Sequence, residues 1–125
     1  MTPPTPLLST LENYLRLTSI RQQTISANMA NVDTPGYHTR DIDFEGELKN
    51  AIRNVSSESE PGTTSTHIIT AVHEVPGLME RPDGNNVSLD REGLLMAETQ
   101  LRYAIGIQLI KGHFHQLLSA INGGS

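Results

Sequence analysis

With 125 residues, 36% of them hydrophobic, no cysteine, no tryptophan and a net charge of −5, the chain has the length of one ordinary domain but few large anchors for a core. The missing cysteine excludes disulfides, thiolate metal sites and cysteine nucleophiles, and an acidic balance without a basic stripe excludes nucleic acid as a partner. No apolar run approaches the roughly 18 residues of a membrane span, and MTPPTPLLST lacks the basic and apolar regions of a cleavable secretory signal.

Charge is unevenly placed. Residues 33–92 hold 12 acidic and 5 basic side chains, and the two flanks together hold 2 and 4. The middle therefore reads as an acidic, solvated segment between two nearly neutral, amphipathic ends.

Residues 1–6 are rich in Pro and Thr and read as extended. A helix starts either at Thr5, with Pro6 in the first helical position, or at the capping box Ser9-Thr10-Leu11-Glu12. It runs to about Asn31, roughly 35–40 Å at 1.5 Å per residue. Leu11, Leu15, Thr18, Gln22, Ile25, Met29 and Val32 alternate in steps of four and three, as a coiled-coil seam does. Leu7, Tyr14, Leu17, Ile20, Thr24 and Ala27 form a second stripe, and Arg16 and Arg21 are left for the polar side. Apolar residues on more than one face call for more than one partner.

The helix is stopped by Thr34-Pro35-Gly36-Tyr37. Proline fixes φ, glycine supplies a positive φ, and the order is that of a type II turn. Asn28 and Asn31 share one helix face just ahead of the stop. Their amides suit the backbone groups that an ending helix leaves unpaired.

In HTRDIDFEGEL, the alternation of Asp41, Asp43, Glu45 and Glu47 predicts a half-buried strand, pinned by Ile42, Phe44 and Leu48. Asn54 to Ser65 reads as a flexible low-complexity loop. Residues 66–75 are rich in β-branched side chains and form the best strand candidate. They would pair with residues 38–44 or 78–82. Arg81 to Asn86 is turn chemistry.

A second helix is predicted from Ser88, an N-cap with Asp90 and Glu92 in its first turn, to a stop at Asn122-Gly123-Gly124. It spans about 50 Å. Tyr103, Ile107, Ile110, Phe114, Leu117 and Ile121 form one seam; Leu94, Ala97, Leu101 and Ala104 form another. Gly93, Gly106 and Gly112 each cost roughly 1 kcal/mol against Ala inside a helix, so either close backbone approach or local weakness explains them.

No constellation carries catalysis. His113 and His115 point about 200° apart on a helix and cannot clamp one metal. His67 and His73 lie about 20 Å apart on an extended chain. Asp41, Asp43 and Glu45 lack the glycine and distal glutamate of a Ca²⁺ loop and read as a solvated edge. The expectation is therefore no enzyme, no cofactor and no metal.

ANMANVDTPGY followed by HTRDIDF resembles the N-terminal signature of the bacterial flagellar axial proteins: rod, hook and hook-associated subunits. Arg40-Asp41-Ile42-Asp43-Phe44 is most similar to the proximal part of the rod. NNVSLDRE followed by AETQLRY resembles the C-terminal signature of the same rod proteins. The resemblance covers roughly residues 7–48 and 85–124. Gly93-Leu94-Leu95 departs from the Met-rich residues more usual there.

The expected fold is mainly α. Long N- and C-terminal helices pair as a coiled coil, with a short irregular, β-containing acidic insert between them. Residues 1–37 and 87–125 would be two halves of an axial core, and residues 38–86 the insert. Asn28, Asn31, Thr34, Pro35, Gly36 and Tyr37 carry the family motif. Leu11, Leu15, Ile25, Met29, Leu94, Leu101, Tyr103, Ile107, Ile110, Phe114, Leu117 and Ile121 are the expected assembly seams. The stripes would suit a self-contained helical hairpin only if one facing seam per helix sufficed; the remainder argue for neighbouring subunits, since exposed apolar area costs roughly 25 cal/mol per Å².

The resemblance implies a structural subunit of the flagellar basal-body rod, assembling helically around the export channel and transmitting torque. It implies as partners further copies, the other rod subunits, the basal adaptor FliE and the membrane ring protein. It also implies uncleaved export through the flagellar type III apparatus into a rod that crosses the periplasm. The alternative is a soluble coiled-coil adaptor or chaperone that binds one partner helix.

Overall fold

The computed structural model describes residues 6–56 and 72–123. In chain order these form α1 (Pro6–Ala30), β1 (Arg40–Ile42), α2 (Phe44–Ser56), β2 (Val72–Glu74) and α3 (Leu89–Gly123).

Helix α1 takes the earlier of its two expected starts, with Pro6 in its first turn, where the missing N–H has no partner to lose. It ends at Ala30, and tighter turns follow: Val32 N donates to Met29 O at 3.3 Å and Thr34 N to Asn31 O at 3.0 Å. Tyr37 N then donates to Thr34 O at 3.2 Å and Gly36 has φ +74°, the type II turn that Thr-Pro-Gly-Tyr predicts.

The insert differs from expectation. The strand ends after three residues, and Phe44–Ser56 is helical. Asp43 caps this helix: its Oδ1 accepts from Gly46 N at 3.3 Å and its carbonyl from Glu47 N at 2.9 Å. Glu45 and Glu47 stand in the first turn, where the helix dipole favours carboxylates. The acidic alternation was thus an N-terminal helix signal, and Phe44, Leu48 and Ile52 keep a four-residue period. Asn54–Ser56, expected as loop, close this helix; the rest of that loop and residues 66–71 of the strand candidate lie outside the described residues. β2 pairs antiparallel with β1, Arg40 opposite Glu74 and Ile42 opposite Val72. The partner is the 38–44 segment, and the two strands are not consecutive, because α2 intervenes.

Helix α3 starts on its expected cap: Ser88 Oγ accepts from Arg91 N at 3.3 Å, and Ser88 O from Glu92 N at 2.9 Å. It packs antiparallel along α1, with Asn28 meeting Glu92 near one end and Tyr14 and Leu15 meeting Gly106 further along. Continuing that register places Pro6 opposite Phe114, so α3 outruns α1 by roughly nine residues, about 14 Å.

On α1 the heptad Leu11, Thr18, Ile25 is buried. On α3 the buried line is Glu92, Thr99 and Gly106, also seven apart. Neither of the two apolar seams expected on α3 is this line. Small and polar residues hold it because the helices approach closely: a Cβ on Gly106 would lie 2.8 Å from Leu15 Cδ2 and 3.0 Å from Tyr14 Cδ1.

The apolar core is small. Leu17, Ile42 and Phe44 are buried together, flanked by Tyr14, Ile20 and Leu48. Tyr14 meets Phe44 edge-on, with centroids 5.5 Å apart, and the Arg102 guanidinium sits 4.7 Å over the Phe44 ring. These contacts hold α1, β1, α2 and α3 to one another.

The three α3 glycines separate on this geometry. Gly93→Ala and Gly112→Ala meet nothing within 4 Å and should stabilise by about 0.5–1 kcal/mol through helix propensity. Gly106→Ala gains the same propensity but overpacks against a ring held by Phe44, and should be net destabilising by about 1 kcal/mol. Urea unfolding of the three variants reads the opposite signs.

Candidate functional site

The conspicuous polar site is the head of the hairpin, where the α1 stop meets the approach to α3. At its centre is Asn28, 1% exposed. Its Nδ2 donates to Arg40 O at 2.7 Å and to Glu92 Oε2 at 3.1 Å. Its Oδ1 accepts from Arg40 N at 3.0 Å and from Tyr37 Oη at 3.0 Å. Two donors and two acceptor positions are all that an amide offers, and all are used. Contrary to expectation, Asn28 therefore does not cap its own helix; it ties it to the turn, to β1 and to α3. Asn31 does cap: its Nδ2 donates to Ala27 O at 2.7 Å, and its Oδ1 accepts from Thr34 Oγ1 at 3.0 Å.

Glu92 is fully buried. Besides Asn28 it faces the Arg91 guanidinium, at 2.9 Å from Oε1. A buried carboxylate is tolerable when paired and hydrogen-bonded, and costly once a partner is removed.

A second asparagine locks the same stop from outside. Asn85 is fully buried, and its Nδ2 donates to Asn31 O at 2.9 Å and Thr34 O at 2.8 Å. Its Oδ1 accepts from Val87 N at 2.8 Å. Arg81 donates to Val32 O, and Gly36 N donates to Asp83 O at 2.9 Å. The turn that follows α1 is thus tied, through its carbonyls, to the segment that leads into α3. Asn86 holds β1: its Oδ1 accepts from Thr39 N at 2.6 Å, and its carbonyl from Thr39 Oγ1 at 3.3 Å. The two motifs legible separately in the sequence are partners in space. Nothing in the spacing of Asn85 and Asn86 announced this.

Arg21, expected on the polar side, pairs with Asp41 instead. The guanidinium donates from Nε and Nη2 to the two carboxylate oxygens, each at 3.2 Å, and both side chains are largely buried. Asp41 is therefore an anchor between α1 and β1 and not a solvated edge. His38 lies between two carboxylates, with Nδ1 3.3 Å from Glu74 and Nε2 2.9 Å from Glu80. The hydrogen bond to Glu74 raises its pKa above the ordinary 6.5, with both charges adding.

The remaining motif residues Thr34, Pro35 and Gly36 are exposed and Tyr37 is half-buried. Of the apolar seam residues, Leu11 and Ile25 are buried inside the chain, and Leu15 and Met29 are half-buried. Ile107 and Ile110 are half-buried too, whereas Tyr103, Phe114 and Leu117 are exposed. Leu94, Leu101 and Ile121 are the barest, at 75%, 62% and 72%. Leu94 and Leu101 lie roughly 200° around α3 from Thr99, on the face turned away from α1. Among the described residues no helix is long and apolar enough to cross a membrane.

A fully bonded polar head on a helical hairpin, with no catalytic constellation among the described residues, has the character of a structural protein. The comparisons agree. Residues 8–38 match the family model described as flagella basal body rod protein. The flagellar basal body rod protein FlgB of Salmonella typhimurium is 35% identical, over 91% of each chain. Its namesake in Escherichia coli K12 is also 35% identical over 91% of each, and that of Bacillus subtilis 29% over 94% of each. The chain belongs to the flagellar basal-body rod protein family, a structural family, and is a component of the rod.

Removing the central amide should be severe. Asn28→Ala strands Arg40, Tyr37 Oη and the buried Glu92, and should lose about 3 kcal/mol or more. Asn28→Asp keeps the shape but sets a carboxylate against Glu92 and loses both donors, so its urea midpoint should fall further still.

His38 adds a pH term. A histidine whose pKa is raised by folding stabilises fully below 6.5, and loses that contribution as pH rises through its folded value. The difference in urea midpoint between the native chain and His38→Gln should therefore be largest in acid and shrink above neutrality.

Proposed function

We propose that this rod component occupies the proximal end of the rod. Copies stack helically into a tube that lines the export channel and carries torque. The observation that carries this reading is the outer face of α3: Leu94, Leu101 and Ile105 are each about half exposed or more, and they point away from α1. Contacts between unlike surfaces that do not close a ring build helices, and burial at roughly 25 cal/mol per Å² supplies the association energy.

Residues 1–37 and 87–125 are then the axial core, and residues 38–86 the insert at its edge. The assembly seams are drawn from Leu94, Leu101, Tyr103, Phe114, Leu117 and Ile121, with Leu15, Met29, Ile107 and Ile110 at their margins; Leu11 and Ile25 serve the hairpin itself. The proximal position makes the basal adaptor FliE and the membrane ring protein neighbours. The route there is uncleaved export through the flagellar type III apparatus, and the assembled rod crosses the periplasm. The likeness to flagellar basal body rod proteins FlgB over nearly the whole chain supports this reading.

Leu101→Asp tests it. At 62% exposure the change should alter monomer stability by no more than about 0.5 kcal/mol. In flagellated cells that depend on this chain it should abolish swimming and leave the protein absent from purified basal bodies. Wild-type swimming by the variant would refute the outer-face assignment.

A further inference from the structure

A groove of about 400 Å³ opens on the side of α1 turned away from α3. Its floor is Ile20, Gln23, Thr24 and Ala27, and Tyr37, Arg40 and Val72 form its wall. The floor residues follow the i, i+3, i+4, i+7 pattern of one helix face. The Thr24 hydroxyl is already spent on Ile20 O at 2.9 Å, so the floor asks for no outside polar partner there.

The far end of the same molecule carries the matching ridge. Phe114, Leu117, Leu118 and Ile121, also at i, i+3, i+4 and i+7, are 49%, 41%, 58% and 72% exposed. They lie on the stretch of α3 that continues past the start of α1. This is the anchor pattern of a helix that docks into a groove. Ridge and floor each span seven residues, about 10 Å. Charge agrees as well. The last turn of α3 has no basic residue, so no side-chain cation offsets the negative end of that helix. In a tail-to-head stack the ridge runs antiparallel to the floor, which brings that end to Arg16, exposed one turn ahead of Ile20 on the same face of α1.

A chain cannot fill its own groove. The groove lies beside the head of the hairpin, and the ridge is some twenty residues further along α3, about 30 Å away. We propose that the occupant is a second copy: the Phe114–Ile121 ridge of one subunit seats in the Ile20–Ala27 groove of the next, tail to head. This rests on the rod reading above and adds its contact. The two surfaces differ, so the contact repeats without closing and generates a stack.

The chain has no native cysteine, which permits a clean crosslinking test. Ala27→Cys and Leu118→Cys are introduced together in the full chain, produced in flagellated cells that depend on it. Purified basal bodies are treated with a short bis-maleimide, which tolerates small errors of register. A ladder of dimers and higher multimers of the chain is expected. The control pair Ala27→Cys with Gln116→Cys, on the opposite side of the α3 tail, should remain monomeric. Thr24→Cys with Leu117→Cys samples the same contact should the first pair perturb assembly. Loss of assembly by both groove–ridge pairs, with the control assembling, would equally mark the contact. The same outcome for all three pairs, whether monomers, ladders or loss of assembly, overturns the inference. Failure of the rod reading shows separately, as absence of the unaltered chain from the same basal bodies.

Discussion

One amide organises this chain. The side chain of Asn28 makes four hydrogen bonds, to the backbone N and O of Arg40, to Tyr37 and to Glu92. Helix α1, the turn, β1 and α3 therefore share one buried point. A helix that ends before a Pro-Gly turn leaves carbonyls without donors, and its successor strand has no fixed direction. Asn28 sets that direction by pairing with Arg40 as a strand neighbour would. Asn85 adds a second donor to the turn carbonyls of Asn31 and Thr34 and so pins the turn to the approach to α3. Buried polar networks that are fully satisfied specify a unique arrangement and are correspondingly intolerant of loss.

The rest of the architecture follows from how little apolar surface the hairpin consumes. Its inner line on α3 is Glu92, Thr99 and Gly106, chosen for closeness and for the polar knot and not for grease. The compact apolar cluster is confined to Leu17, Ile42, Phe44 and their neighbours. Most of the large side chains of α3 are therefore left outside. For a monomeric protein this would be a liability, since extended exposed apolar patches mark association sites. In the rod assembly proposed above it is the reserve from which subunit contacts would draw.

The long elements and the stop were legible because their signals are local. Pro6 and Ser88 mark helix starts, and Thr34-Pro35-Gly36-Tyr37 can do little but turn. What was illegible depended on distance in the sequence. Asn28 reads as a cap until its partner 64 residues away is known, and Arg21 reads as a surface cation until Asp41 arrives beside it. The α2 helix was missed for a different reason: alternating acids mimic a strand, although Asp43 followed by two first-turn glutamates is also a helix start. The inner line of α3 was invisible to a search for apolar periodicity because its members are an acid, a threonine and a glycine. Gly106, one of two readings in sequence, is decided by the side chains of Tyr14 and Leu15 lying against it.

Polar and apolar groups thus divide the work of the molecule. Hydrogen bonds are directional and short-ranged, so they fix the angle and register at the head, where α1, β1 and α3 must meet in one way. Apolar burial is nearly directionless and scales with area, so it suits long flanks that must adhere to neighbours at many points. If the same leucines closed the hairpin, the monomer would be more stable and the outer face correspondingly poorer. A hairpin closed by Asn28, Glu92 and Gly106 costs the flanks nothing, and it presents them at an orientation set before any neighbour arrives. On the proposed assembly, a shaft built from such units would resist twisting through its rigid heads and cohere through its sides.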